Sequence, residues 1–124
     1  MLPQEMNPVS LAFYGDAVYE VAVRERLVRE GIGKPDKLHR ETVRQVCASY
    51  QAAAARRIEP LLTETESDVF RRGRNASGVK APKNADVLEY RLATGLEALI
   101  GFLALRGETE RIKELLAVIL SPTE

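Results

Sequence analysis

Two acids interrupt long apolar stretches of this chain, and they are its best candidates for chemistry. From Pro8 to Val23 the only polar side chains apart from tyrosines are Ser10, Asp16 and Glu20. From Leu92 to Leu105 every residue is apolar or small except Thr94 and Glu97. An unpaired carboxylate in apolar surroundings is costly, so each acid needs a partner. A metal ion is one candidate and an arginine in a structural ion pair is another. Charge placement adds a second clue. From Arg71 to Lys83 the chain carries five basic residues (Arg71, Arg72, Arg74, Lys80 and Lys83) and no acid. A basic loop beside two carboxylates suits a phosphodiester substrate, because cations engage phosphates and release their counterions. A solvated helix end whose arginines complement the dipole is the plainer reading of the same residues.

The elements that must position these groups are helical throughout. Asn7 and Pro8 supply an N-cap and a first-turn proline for a helix running to about Arg29. Its apolar residues point in nearly every direction, which predicts a central, buried helix. Gly31 to Pro35 breaks it, and because this segment follows a helix rather than a strand it is not read as a phosphate loop. Asp36 is expected to cap a second helix with Leu38, Thr42, Val43 and Val46 inward and Arg40, Arg44 and Gln45 outward. Ser49 is expected to cap a third, Tyr50 to Ile58, stopped by Pro60. Thr63 and Glu66 form a capping box for a fourth, Glu64 to about Arg74. Asn75 to Asn84, with Gly78 and Pro82, reads as a loop. Asn84 is expected to cap a fifth helix, Ala85 to about Arg106, closed by Gly107. A last amphipathic helix spans Thr109 to Leu120, with Ile112, Leu115, Leu116 and Ile119 on one face. No window alternates with a period of two. The fold class is all-α, about six helices around the buried first one, in a single domain over residues 1–124.

Composition excludes several classes. Cys47 is the only cysteine, which rules out a disulfide framework or a paired-cysteine metal knuckle. The N-terminus lacks the features of a signal peptide, and no apolar run is long enough to span a membrane. A cytoplasmic setting with no membrane partner is the expectation. The formal net charge is zero, so a nucleic-acid argument must rest on where the charges lie. His39 reads as a surface helix residue, and Cys47 has no partner that would make it a nucleophile.

The stretch Leu11-Ala12-Phe13-Tyr14-Gly15-Asp16-Ala17-Val18 resembles the signature helix of the ribonuclease III domain. Gly95-Leu96-Glu97-Ala98-Leu99-Ile100-Gly101 resembles that family's second acidic motif. The resemblance covers essentially the whole chain, and too few residues follow Leu120 for a double-stranded-RNA-binding domain. With Arg71-Arg72-Gly73-Arg74-Asn75 and Pro82-Lys83-Asn84 between the motifs, the chain is most similar to the Mini-III ribonucleases. That resemblance implies a homodimeric, Mg²⁺-dependent endoribonuclease that hydrolyses double-stranded RNA to 5′-phosphate and 3′-hydroxyl ends. The implied substrate is precursor 23S ribosomal RNA, with room for a ribosomal protein that presents it. Asp16 and Glu97 take the places of the family's catalytic, metal-binding acids, and Arg71, Arg72, Arg74, Lys80 and Lys83 lie where RNA would be gripped. Larger relatives carry further acids where this chain has Val9, Ala12 and Thr94, which leaves the number of metal ions open. Glu20, one turn after Asp16, is a candidate for a compensating ligand oxygen. The competing reading is a catalytically silent RNA-binding or scaffold dimer of the same fold. A purely helical interaction module comes third.

Overall fold

A computed structural model describes residues 1–76 and 80–121. After a short 3-10 turn at Pro3–Glu5, six α-helices follow: α1 (Pro8–Arg29), α2 (Pro35–Val46), α3 (Ala48–Ile58), α4 (Glu64–Arg74), α5 (Val87–Leu105) and α6 (Thr109–Ile119). Among the described residues there is no strand, and the all-α expectation holds.

The central helix is α5 rather than α1. Every residue of α5 from Leu92 to Leu103 is buried except Glu97, which is partly buried. Helices α1, α3, α4 and α6 pack around it. By contrast α1 buries one stripe, Leu11, Ala12, Gly15, Tyr19, Val23 and Leu27, at the spacing of a single helix face. Several of its other apolar residues face outward: Phe13 is 84% exposed, Val21 64%, and Tyr14 is exposed too, while Val18 is partly buried against the core. The expectation of a wholly buried first helix is therefore corrected. Periodicity registers an apolar surface without saying whether this chain covers it.

Small residues set how closely α5 is approached. A Cβ on Gly15 of α1 would overlap the Glu97 carbonyl oxygen, and one on Gly101 would overlap that of Leu11. On another side of α5, a Cβ on Gly73 of α4 would stand 2.7 Å from the Ala98 Cβ, and one on Gly95 would stand 2.8 Å from the Phe70 carbonyl. The α1–α5 and α4–α5 crossings thus bring backbone against backbone, and the positions flanking these glycines are held in fixed register.

Helix ends follow local chemistry with a few revisions. Asn7 Oδ1 accepts from the Val9 N–H at 2.7 Å. The Thr63–Glu66 box forms in both directions, at 2.9 and 3.2 Å. Gly107 closes α5 with a φ of 72°. Three expected caps shift. Pro35 rather than Asp36 opens α2, α3 starts at Ala48 without a side-chain cap, and Asp86 caps α5 by accepting from the Glu89 N–H at 2.9 Å. Asn84 instead adopts a left-handed turn with φ 74°, two residues ahead of that cap. On α2 the inward stripe is Leu38, Thr42, Gln45 and Val46, so three of the four expected inward residues hold while Gln45 is buried and Val43 exposed, the reverse of expectation. The Tyr19 hydroxyl, itself buried, donates to the Gln45 carbonyl at 2.6 Å and sets this register. The expected loop from Asn75 to Asn84 is free of helix where described, and Gly78 lies outside the described residues.

Two polar clasps hold the outer helices. Arg111 of α6 makes a two-pronged ion pair with Glu66, both contacts at 2.8 Å, and also donates to the Leu61 carbonyl. At the other end of α6, the Ile119 carbonyl accepts from Arg57 at 2.9 Å and Tyr50 at 3.0 Å, and the Leu120 carbonyl from Arg26.

Candidate active site

The glycine-lined α1–α5 crossing decides where the two acids meet. Asp16 follows Gly15, and Glu97 lies one helical turn before Gly101 on the facing helix. With nothing but hydrogen between the two backbones, the Asp16 carboxylate lies close enough to Glu97 to act on it through hydrogen bonding and charge. Asp16 is exposed and Glu97 partly buried, so the pair forms a rim group and a deeper group. Asp16 was expected among apolar neighbours, and its exposure removes the desolvation argument from it. That argument applies to Glu97 alone.

Glu97 feels its surroundings strongly. Burial and then Asp16, through hydrogen bonding and charge, push its carboxyl up to about 8, and hydrogen bonding from Gln51 opposes them. Neither Asp16 nor Glu97 has an ion-pair partner among the described residues. Two carboxylates this close repel unless a proton or a cation lies between them. Hard divalent cations take carboxylate oxygens and keep several waters, and sites with one or two carboxylates completed by water and phosphate are ordinary for Mg²⁺. The donor set fits such an ion.

The structure separates the remaining candidates. Glu20 shares an exposed concavity with Phe13, Tyr14, Asp16, Ala17 and Val21, but its carboxylate is engaged by Arg24 at 2.8 Å. Thr94 points its hydroxyl back to the Tyr90 carbonyl at 2.9 Å, and Ala12 is buried. No group of three or more metal-ligating side chains forms among the described residues. The pair stands as a two-carboxylate site.

The basic residues divide by role. Arg71 is exposed, with Asp68 3.5 Å away. Arg72 is spent on the fold, donating to the Gln4 and Met6 carbonyls at 3.0 and 3.4 Å and tying the N-terminal turn to α4. Arg74 bonds its neighbour Asn75, while Lys80 and Lys83 are exposed. Arg71 and Arg72 line a concavity with Asn7, Pro8 and Val9 at the start of α1. Asp16 comes seven positions after Val9, two helical turns or roughly 10 Å along the axis and on the same face. Arg71 and the acids therefore belong to neighbouring parts of one surface.

One residue at this site carried no signal in the sequence. Gln51, on the alanine-rich α3, is buried with its amide nitrogen 2.8 Å from the Val46 carbonyl and 3.5 Å from Glu97 Oε2. A single glutamine amid alanines has no pattern to mark it. Only the packing of α3 on α5 brings it to Glu97.

Known proteins resemble this chain over most of its length. The family model for the ribonuclease III domain matches residues 9–108. A Mini-ribonuclease 3 from Symbiobacterium thermophilum is 51% identical over 114 residues, covering 92% of this chain and 88% of that protein. A Mini-ribonuclease 3 from Brevibacillus brevis is 47% identical, covering 91% and 84%. Among solved structures, a crystal structure of a protein from Fusobacterium nucleatum superposes with a TM-score of 0.86 at 30% identity, covering 95% of this chain and 96% of that one.

Proposed function

The chain belongs to the ribonuclease III family, in its Mini-ribonuclease 3 branch, and from that premise we propose how its residues act. An endoribonuclease of the ribonuclease III type is the activity of the family. We infer that residues 1–124 form one catalytic unit that cleaves double-stranded RNA by hydrolysis, leaving 5′-phosphate and 3′-hydroxyl ends. The convergence of Asp16 and Glu97 at the glycine crossing is the observation that carries this reading.

Family members use a divalent metal, and Asp16 and Glu97 are the residues that would hold one here, with Mg²⁺ the proposed ion. An ion held by Asp16 and Glu97 would supply a more acidic water and would shield charge on the reacting phosphate. Asp16, on the rim, faces arriving RNA. Burial and Asp16 favour the protonated form of the deeper Glu97, so an ion held there would displace a proton and bind more strongly as pH rises. Glu20 serves as a ligand only by leaving Arg24. Arg71, Arg74, Lys80 and Lys83 offer charge to phosphates, while Arg72 sets the position of the α4 end from which Arg71 projects. Recognition is by A-form shape and backbone, because side chains do not read the narrow major groove of duplex RNA.

A second copy of the chain is the proposed cover for the exposed apolar face of α1. Phe13, Ala17 and Val21 follow one another at helical spacing on either side of Asp16, so a homodimer closing on this face would flank its own sites. The proposed substrate is precursor 23S ribosomal RNA, with a ribosomal protein as a candidate presenter of the cleavage sites, and the cytoplasm follows from that substrate.

Incubation of wild type with a long RNA duplex and Mg²⁺, beside a chelator control and Asp16→Asn, tests the reading. Cutting is expected only from wild type with metal, and Asp16→Asn should keep its fold because Asp16 is exposed. If wild type with Mg²⁺ shifts the duplex on a gel without cutting it, the molecule is a silent RNA-binding dimer instead. The silent reading leaves unexplained why two carboxylates are held together without a cationic partner among the described residues.

A further inference from the structure

Gln51 is buried beside the acid pair and has no part in the chemistry above. It is 2% exposed, on the α3 face that packs against α5. Its amide nitrogen donates to the carbonyl of Val46, the last residue of α2, at 2.8 Å. A carbonyl only accepts, so this bond fixes the amide with nitrogen toward Val46 and Glu97. The second amide hydrogen is then the one available to Glu97 Oε2 across 3.5 Å, a reach the carboxylate closes by rotating. The same orientation leaves the amide oxygen buried without a donor. A buried acceptor left unpaired costs about 1–3 kcal/mol. Ala52, Ala54 and Ala55, also buried on α3, satisfy packing without a polar atom, and a methionine or leucine at 51 would do the same. The amide is thus costly as core filling, and Glu97 is what it addresses.

Resting on the metal reading above, we propose that Gln51 is a positioning residue: it holds the Glu97 carboxylate turned toward Asp16, so that two acids form a divalent-cation site without the further acids that Val9, Ala12 and Thr94 replace. Gln51 itself is not a ligand. It acts from the α2–α3 side, through the Val46 carbonyl, on a carboxylate carried by α5.

The test measures Mn²⁺ binding to the RNA-free full chain by the paramagnetic resonance signal of the free ion. Wild type is compared with Gln51→Met and Gln51→Leu, after each variant's melting in chelator is recorded. Both variants are expected to fold, since loss of the bond to the Val46 carbonyl is offset by removal of the orphaned oxygen, and to bind Mn²⁺ about tenfold more weakly, as loss of a residue orienting a metal ligand does. Wild-type affinity in a folded variant overturns the proposal. Failure of both variants to fold also overturns it, because Gln51 would then be a structural residue. If wild type takes up no Mn²⁺ at millimolar ion, the carboxylate-pair reading itself falls, a result distinct from equal binding by wild type and variants.

Discussion

Replacing Glu97 by glutamine should make the metal-free protein more stable at alkaline pH, while destroying ion binding. In the folded chain the Glu97 carboxyl is pushed up to about 8 from an ordinary 4.5, mainly by burial and then by Asp16. A carboxyl whose folded value lies above its unfolded value costs stability as pH climbs between the two, since the folded state must surrender a proton it prefers to keep. The penalty is small at pH 5 and complete above about pH 8. At about 1.36 kcal/mol per pKa unit, that interval caps it at ~5 kcal/mol. Water reaching the outer side of a partly buried pair, and rotation of exposed Asp16 away from it, bring the realised figure to about 1–2 kcal/mol. Glutamine removes the charge, accepts from Gln51 and donates to Asp16. For a chain of this length about 1 kcal/mol is roughly 4 °C in melting temperature. Thermal melts in chelator should therefore put Glu97→Gln about 4–8 °C above wild type at pH 8.5 and level with it at pH 5. Mg²⁺ should raise wild type and leave the variant unmoved. Coincident melts at pH 8.5, or a variant melting below wild type, would refute the claim that Asp16 and burial disfavour the Glu97 charge.

Other consequences follow from the packing and the clasps. Gly15→Ala forces α1 away from the Glu97 carbonyl and should cost about 1–3 kcal/mol while weakening Mn²⁺ binding; Gly33→Ala, with nothing within 4 Å, is the control and should melt close to wild type. Glu66→Ala removes the two-pronged partner of Arg111, which keeps Glu114 and the Leu61 carbonyl, and half of the Thr63 capping box, an expected loss of about 1.5–3 kcal/mol in urea unfolding. Hydrogen bonding from Arg111 holds the Glu66 carboxyl below its ordinary value, so this stabilisation is full above pH 4.5 and lost as pH falls; the Ala variant should show a flatter acid limb. Phe13→Asp should shift sedimentation from dimer to monomer without lowering the melting temperature of the monomer, since this side chain makes little contact with its own fold. A wild-type sedimentation profile for Phe13→Asp would move the dimer surface elsewhere.

Much of this molecule was legible in the chain because it rests on local chemistry. Asn7 before Pro8, Thr63 three residues before Glu66, and Gly107 after α5 mark helix ends through bonds that span one turn. The candidate acids stood out because each breaks an apolar run on its own helix. The misread caps at Asp36, Ser49 and Asn84 lie within two residues of the observed starts, where several residues can serve and backbone conformation chooses among them. Gln45 and Val43 were exchanged because α2 offers two plausible inward stripes, and a hydrogen bond from Tyr19, 26 residues away, selects one.

What the sequence determined by itself is the helical class, the order of the elements and the two acids, since side-chain periodicity and capping are properties of neighbouring residues. Tertiary structure decided that α5 rather than α1 is enclosed, that Asp16 lies at the rim and Glu97 beneath it, and that Gln51 faces Glu97. The relation of Asp16 to Glu97 depends on how near two helices separated by more than fifty residues can come. That distance is set by what is missing at Gly15 and Gly101, where a single Cβ on either helix would hold the carboxylates apart.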